Sequence, residues 1–112
     1  MQTHTIAYKV LTAADWEALN IGTFLGTPID LADGFIHLST ASQITETVDR
    51  HFSGQTGLII AAIDLIALGD VVRWEASRHG QLFPHVYASL PASAVLAWCP
   101  LERHDGAVRL PT

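Results

Sequence analysis

The chain has 112 residues, 49% of them hydrophobic, a length and composition that fit one folded domain over residues 1–112 and exclude a disordered chain. Six Lys and Arg against eleven Asp and Glu give a formal net charge of −5 with histidine neutral. The six cations are spread out and form no basic stripe, which argues against a primary nucleic-acid-binding role, although a small anion that needs one or two cations stays open.

Cys99 is the only cysteine, so a disulfide within the chain and a thiolate metal cluster are both excluded. It lies in the apolar run Val95–Cys99 and reads as a buried, unreactive thiol. The opening MQTHTIAYKV lacks the charged-then-apolar pattern of a signal peptide, and no apolar run approaches the roughly 18 residues of a membrane span. A soluble, cytoplasmic protein without membrane contact is the expectation.

In chain order, Ile6–Leu11 alternates as a first strand, with Ile6, Tyr8 and Val10 on one side and Ala7, Lys9 and Leu11 on the other. Thr12 is placed as the N-cap of a helix over about 13–20, with Leu11 and Trp16 at the staple positions and Gly22 at its end. Thr23–Asp33, with Gly26, Pro28, Asp30 and Asp33, reads as a long loop. Phe35–Leu38 is a short strand entered through the turn pair Asp33-Gly34. Thr40 and Gln43 then fit a capping box opening a helix over about 41–53, whose apolar stripe is Ile44, Val48 and Phe52.

Leu58–Ile63 is apolar on both faces and suits a central strand. Leu65–Leu68 is read as a turn of helix, and Val71–Glu75 and Phe83–Leu90 as strands, the latter with Pro84 suited to its start. Val95–Glu102 and a short Ala107–Leu110 complete the series. Strands and helices do not alternate regularly, so the class is α+β.

Polar chemistry concentrates in two stretches, GFIHLST over Gly34–Thr40 and WEASRHGQLFPHVY over Trp74–Tyr87. His37 stands at a strand end before a helix start, where free N–H groups favour an anion, and Ser39 and Thr40 add hydroxyls. In the second stretch, Arg78 offers a donor fork for phosphate or carboxylate, Glu75 and His85 are candidates for proton transfer, and Trp74 supplies a flat surface. A structural histidine beside a helix cap and a solvated loop with a Glu75–Arg78 ion pair are the plainer alternatives. A metal held by His37, His85 and Glu75 lacks the HExxH spacing, so no metal is expected, and neither Ser39 nor Ser77 lies in a nucleophile elbow.

Taken together, GFIHLST, the helix near Gln43, W-E-x-S-R-x-G and F-P-H-x-Y resemble the bacterial domain-of-unknown-function family 952, with the likeness running from Tyr8 to about Val95. The resemblance implies an ADP-ribosylation (ADP-ribosyltransferase-like) fold, a split α+β arrangement around two small sheets. His37-Leu38-Ser39 followed by a helix and an apolar strand is similar, more distantly, to tRNA 2′-phosphotransferases. That likeness implies a pocket for a nucleotide or ADP-ribose-like ligand, with NAD or a related nucleotide as the candidate cofactor. His37, Glu75 and His85 would be its catalytic groups and Ser39, Thr40, Arg78, Tyr8 and Trp74 its ligand contacts. A transferase and a non-catalytic binding or regulatory module both remain open.

Overall fold

The computed structural model describes residues 4–112, so the first three residues of the stretch read for a targeting signal lie outside the described part. Two three-stranded antiparallel sheets form the framework. The first has the order β1 (Ile6–Leu11), β3 (Ile59–Asp64), β6 (Val95–Pro100). The second has the order β2 (Ile36–His37), β5 (Leu82–Val86), β4 (Val72–Ala76). A small hairpin of β7 (Arg103–His104) and β8 (Ala107–Val108) follows. The helices are α1 (Ala13–Asn20), α2 (Pro28–Asp33), α3 (Ile44–His51) and the single turn α4 (Leu65–Leu68). With helices and antiparallel sheets in separate segments, the chain is α+β. Among the described residues no helix is long and apolar enough to cross a membrane.

β3 is covered on both faces, as its unbroken apolar run predicts. Ala61 and Ile63 join Ala7, Leu11, Leu19, Ile36, Leu38 and Val86 in a core between the two sheets. Ile60 and Ala62 face the other way and pack with Tyr8, Val10, Ile44 and Val48 beneath α3. Ile60, Ile63, Leu11 and Leu19 are fully buried, each contributing about 1.5–3 kcal/mol relative to an exposed side chain. Cys99, half-buried, packs against the second core.

Three expectations need correction. Thr23–Asp33 is not all loop, because Thr27-Pro28-Ile29-Asp30 opens α2 with a complete capping box. The Asp30 amide donates to the Thr27 hydroxyl at 3.4 Å, the Thr27 amide donates to Asp30 Oδ2 at 2.9 Å, and Pro28 takes the first helical turn, where its missing N–H costs nothing. The helix after GFIHLST begins at Ile44, not at residue 41. The Thr40 amide donates to Gln43 Oε1 at 3.0 Å, but the Thr40 hydroxyl turns to Ser42 Oγ at 3.3 Å and caps no backbone donor. Finally, Pro84 sits in the middle of β5, the central strand of its sheet, and residues 87–90 leave the strand. Its carbonyl accepts from the Leu38 amide at 3.1 Å, so the proline still serves the sheet on its acceptor side.

The two sheets meet at one backbone pair. The Tyr8 amide donates to the Ser39 carbonyl at 2.7 Å and the Ser39 amide donates to the Tyr8 carbonyl at 3.0 Å. This contact sets the strand of GFIHLST against β1 and opens a cleft beside it.

Candidate functional site

The second sheet has two unlike faces, a direct result of its period-two alternation. Ile36, Val72 and Val86 point into the core, whereas His37, Phe83 and His85 line the opposite side. His37 and His85 are cross-strand partners, and their ring centroids are 5.4 Å apart in an edge-on arrangement. Phe35 stacks on His85 at 4.1 Å and tilts against His37 at 4.6 Å, which holds both imidazoles in place.

Each histidine has a carboxylate at Nδ1. For His37 it is Asp30, 2.7 Å away. For His85 it is Glu75, also at 2.7 Å, and the Tyr87 hydroxyl donates to the same Glu75 oxygen at 2.7 Å. Such a partner fixes ring orientation and makes Nδ1 the donor, leaving Nε2 to face outward. Among the described residues His85 Nε2 has no protein partner, while His37 Nε2 lies 3.0 Å from Asp33 Oδ2. Glu75 is held below the usual carboxylate range by the Tyr87 and His85 hydrogen bonds, and the same contact raises the Tyr87 hydroxyl.

Asp30 is the hub on the other side, and its side chain is 1% exposed. It accepts from Lys9 Nζ at 2.8 Å, from the Thr27 amide and from the His37 amide at 3.1 Å, besides the His37 ring. Lys9 Nζ also donates to the His37 carbonyl at 2.9 Å. Burial alone would raise the Asp30 carboxyl. The His37 hydrogen bond, the Lys9 charge and the Thr27 amide overcome that penalty and hold it well below the usual range. Lys9 is pushed down by burial, against the opposing pull of Asp30.

These groups stand along a cleft of about 680 Å³ bounded by β1, the start of α2, the exit of β2, α3 and the turn at Ser77-Arg78. Three of the chain's six Lys and Arg line it (Lys9, Arg50, Arg78), and three of its six histidines (His37, His51, His85), against one of eleven acids, Asp15. For a chain of net charge −5 this is a marked segregation, softened where Asp30 backs Lys9 and Glu46 backs Arg78. Ser39 Oγ lies 2.9 Å from Thr47 Oγ1, to which Arg78 Nη2 donates at 3.0 Å, so one hydroxyl chain joins the two motifs. The Tyr8 hydroxyl is raised by burial.

Of the residues singled out in the sequence, Tyr8, His37, Ser39, Arg78 and His85 border the cleft. Glu75 stands behind His85 rather than on the cleft wall. Thr40 is buried and outside the lining. Trp74 does not meet a ligand space either: it points into the core face of its sheet and lies 5.5 Å from the His4 ring. The Glu75–Arg78 ion pair expected of a solvated loop does not form, since Arg78 meets Glu46 instead, with Nε 3.1 Å from Oε2. Lys9, Asp30, Thr47, Arg50 and His51 were missed as site residues. One signal was visible for the first: a lysine on the core-facing side of an apolar strand needs a buried carboxylate partner.

The model of the family described as "Protein of unknown function (DUF952)" matches residues 10–98. The chain belongs to the DUF952 family. Three solved structures of protein CC0527 from Caulobacter crescentus are similar to this DUF952 chain. The crystal structure is 42% identical, covers 94% of each chain and superposes with a TM-score of 0.85. A double-mutant crystal form gives 41% and 0.84, also over 94% of each chain. The solution structure gives 42% and 0.77, covering 94% of this chain and 91% of that one. Comparison with curated proteins found no match.

Proposed function

We propose that the cleft of this DUF952 chain takes a small anionic ligand of nucleotide or ADP-ribose type, with NAD among the candidates, on a single domain of ADP-ribosylation-like fold. The observation that carries the reading is the His37–His85 pair: two imidazoles from the two motifs, 5.4 Å apart on the wall of a cleft that Arg78 also lines. Two small antiparallel sheets flanking that cleft are in keeping with the fold. In the transferase reading, His85 is the proton-transfer group through Nε2, and Glu75 is a positioning residue that orients it. Ser39 and Arg78 hold the polar part of the ligand, and Tyr8 borders it.

A non-catalytic binding or regulatory module is the second reading, and one observation favours it. Both nitrogens of His37 already face carboxylate oxygens, at 2.7 and 3.0 Å, so this ring is engaged within the protein.

The test is thermal unfolding with NAD, ADP-ribose and a 2′-phosphorylated nucleotide at millimolar concentration. A ligand at about 100 times its Kd is expected to stabilise the fold by about 2.7 kcal/mol, and His85→Ala is expected to abolish the rise in Tm. Absence of a shift with all three compounds on folded protein overturns the reading. Turnover that falls in Glu75→Gln while binding persists identifies an enzyme; binding without product in the unmodified chain identifies a module.

A further inference from the structure

We infer that the corner of the cleft formed by Arg78, Arg50 and His51 is a subsite for a phosphate group, and that the Glu46 carboxylate stands in for that phosphate when the ligand is absent. The inference rests on reading the cleft as a ligand site and names the chemistry of one end of it.

Arg78 is held as a receptor would be. Its guanidinium lies over the Phe83 ring at 5.0 Å, and Nη2 donates to Thr47 at 3.0 Å, so its plane is fixed by two neighbours. Yet its Nε is buried without a hydrogen-bond acceptor. Glu46 Oε2 is only 3.1 Å from that nitrogen but is not aimed to accept from it. A buried donor in this condition is uncommon, and an anion bridging the guanidinium edge would satisfy it.

Three basic side chains converge on the Glu46 carboxylate. Besides Arg78, Arg50 Nε lies 3.9 Å from Oε2 and His79 Nε2 lies 3.9 Å from Oε1. Glu46 is half-exposed, outside the cleft lining and one helical turn before Arg50, so solvent lies open to its carboxylate. Arg50 and His51 reach the cleft from the end of α3, and Arg78 reaches it from the facing turn. Donors arriving from two elements in different directions suit a tetrahedral acceptor with three free oxygens better than a planar carboxylate with two. In this corner the His51 imidazole is pushed down, first by burial and then by the neighbouring Arg78, Arg50 and His37.

The experiment is calorimetric titration of the full chain with inorganic phosphate and with pyrophosphate at low ionic strength, with adenosine as the neutral comparison. Saturable binding of the phosphates is expected. Arg78→Ala is expected to weaken it about tenfold or more, because truncating one partner of a desolvated charge pair costs far more than a rim charge. Arg73→Ala removes the same charge from a residue that lies over the Tyr87 ring, outside the cleft, and is expected to leave binding unchanged. Glu46→Gln is expected to tighten it several-fold by removing the competitor. Arg78→Lys retains the charge without the fork and is expected to bind between the unmodified chain and Arg78→Ala, so a poorly folding alanine variant does not end the test. Absence of saturable binding to folded protein, equal losses in the Arg73 and Arg78 variants, or weaker binding in Glu46→Gln each overturns the subsite. Nucleotide binding that survives Arg78→Ala at full affinity overturns it while sparing the nucleotide reading. Phosphate binding with the expected variant pattern, without nucleotide binding, overturns only the latter.

Discussion

Asp30→Ala is expected to lower the stability of the chain by about 3–5 kcal/mol, the usual cost of stranding a buried charge. The substitution strips Lys9, whose side chain is 7% exposed, of the carboxylate that its ammonium is bonded to. It also removes the acceptor of the His37 amide and ring and half of the capping box that starts α2. Adding Lys9→Met to Asp30→Ala is expected to recover much of the loss, since a buried ion pair is replaced by apolar groups far more cheaply than it is broken. Urea denaturation of both variants checks this; a loss below about 1 kcal/mol in Asp30→Ala, within the range of an ordinary substitution, would sink the view of Asp30 as the hub.

The same carboxylate sets a pH dependence. Native Asp30 binds its proton less readily than the unfolded residue, whose pKa is about 3.9. Its stabilisation is therefore fully present above roughly pH 4–5 and is lost as the pH falls through the native value. Lys9 acts at the other end of the scale. Burial makes its native form the weaker binder of a proton, so its share of stability grows as pH rises from the native value towards about 10.4.

Gly26→Ala is the second substitution with a large expected effect, and it acts on Asp30 without touching its chemistry. Gly26 has φ +133, and a Cβ built there would stand 2.8 Å from the Asp30 Cβ. Backbone strain of about 1–3 kcal/mol is expected, together with a shift of Asp30 away from Lys9 and His37. Gly54→Ala is the comparison, since Gly54 has φ +80 but open space around its missing side chain. Equal losses of stability in the two variants would show that the contact with Asp30 is harmless. A changed His37 ring environment by NMR in Gly26→Ala alone is the site-specific readout.

How far the sequence could be read depended on the range of the interaction. The alternation of Ile6–Leu11, the two-sided apolar run of β3 and the Thr12 cap are local patterns, and each produced the element expected of it. GFIHLST and WEASRHGQLFPHVY could be paired because strong local chemistry in two short stretches needs few contacts to meet, and the His37–His85 register brings them together. Lys9 with Asp30 could not be paired in this way. Their partnership spans 21 positions and depends on α2, within Thr23–Asp33, a segment whose Gly, Pro and Asp content suits a loop and conceals the cap formed by Thr27-Pro28-Ile29-Asp30. Trp74 misled for a related reason: aromatic character says nothing of which face of a strand will be the core. Arg50 and Glu46 lie off the apolar stripe of α3, and only the turn carrying Arg78 brings a partner to that surface.

The reciprocal backbone pair of Tyr8 and Ser39 joins the two sheets with a single main-chain stitch. Among the described residues no other backbone hydrogen bond joins the two sheets, so beyond this stitch they are held to one another by the side chains of the core between them. Because both bonds run between main-chain atoms, they do not occupy the side chains at positions 8 and 39, which pack against the second core and Thr47 while bordering the cleft. Deuterium uptake at the Tyr8 and Ser39 amides should then report how firmly that stitch holds, and a ligand bound across the cleft should slow it there before it slows exchange anywhere else.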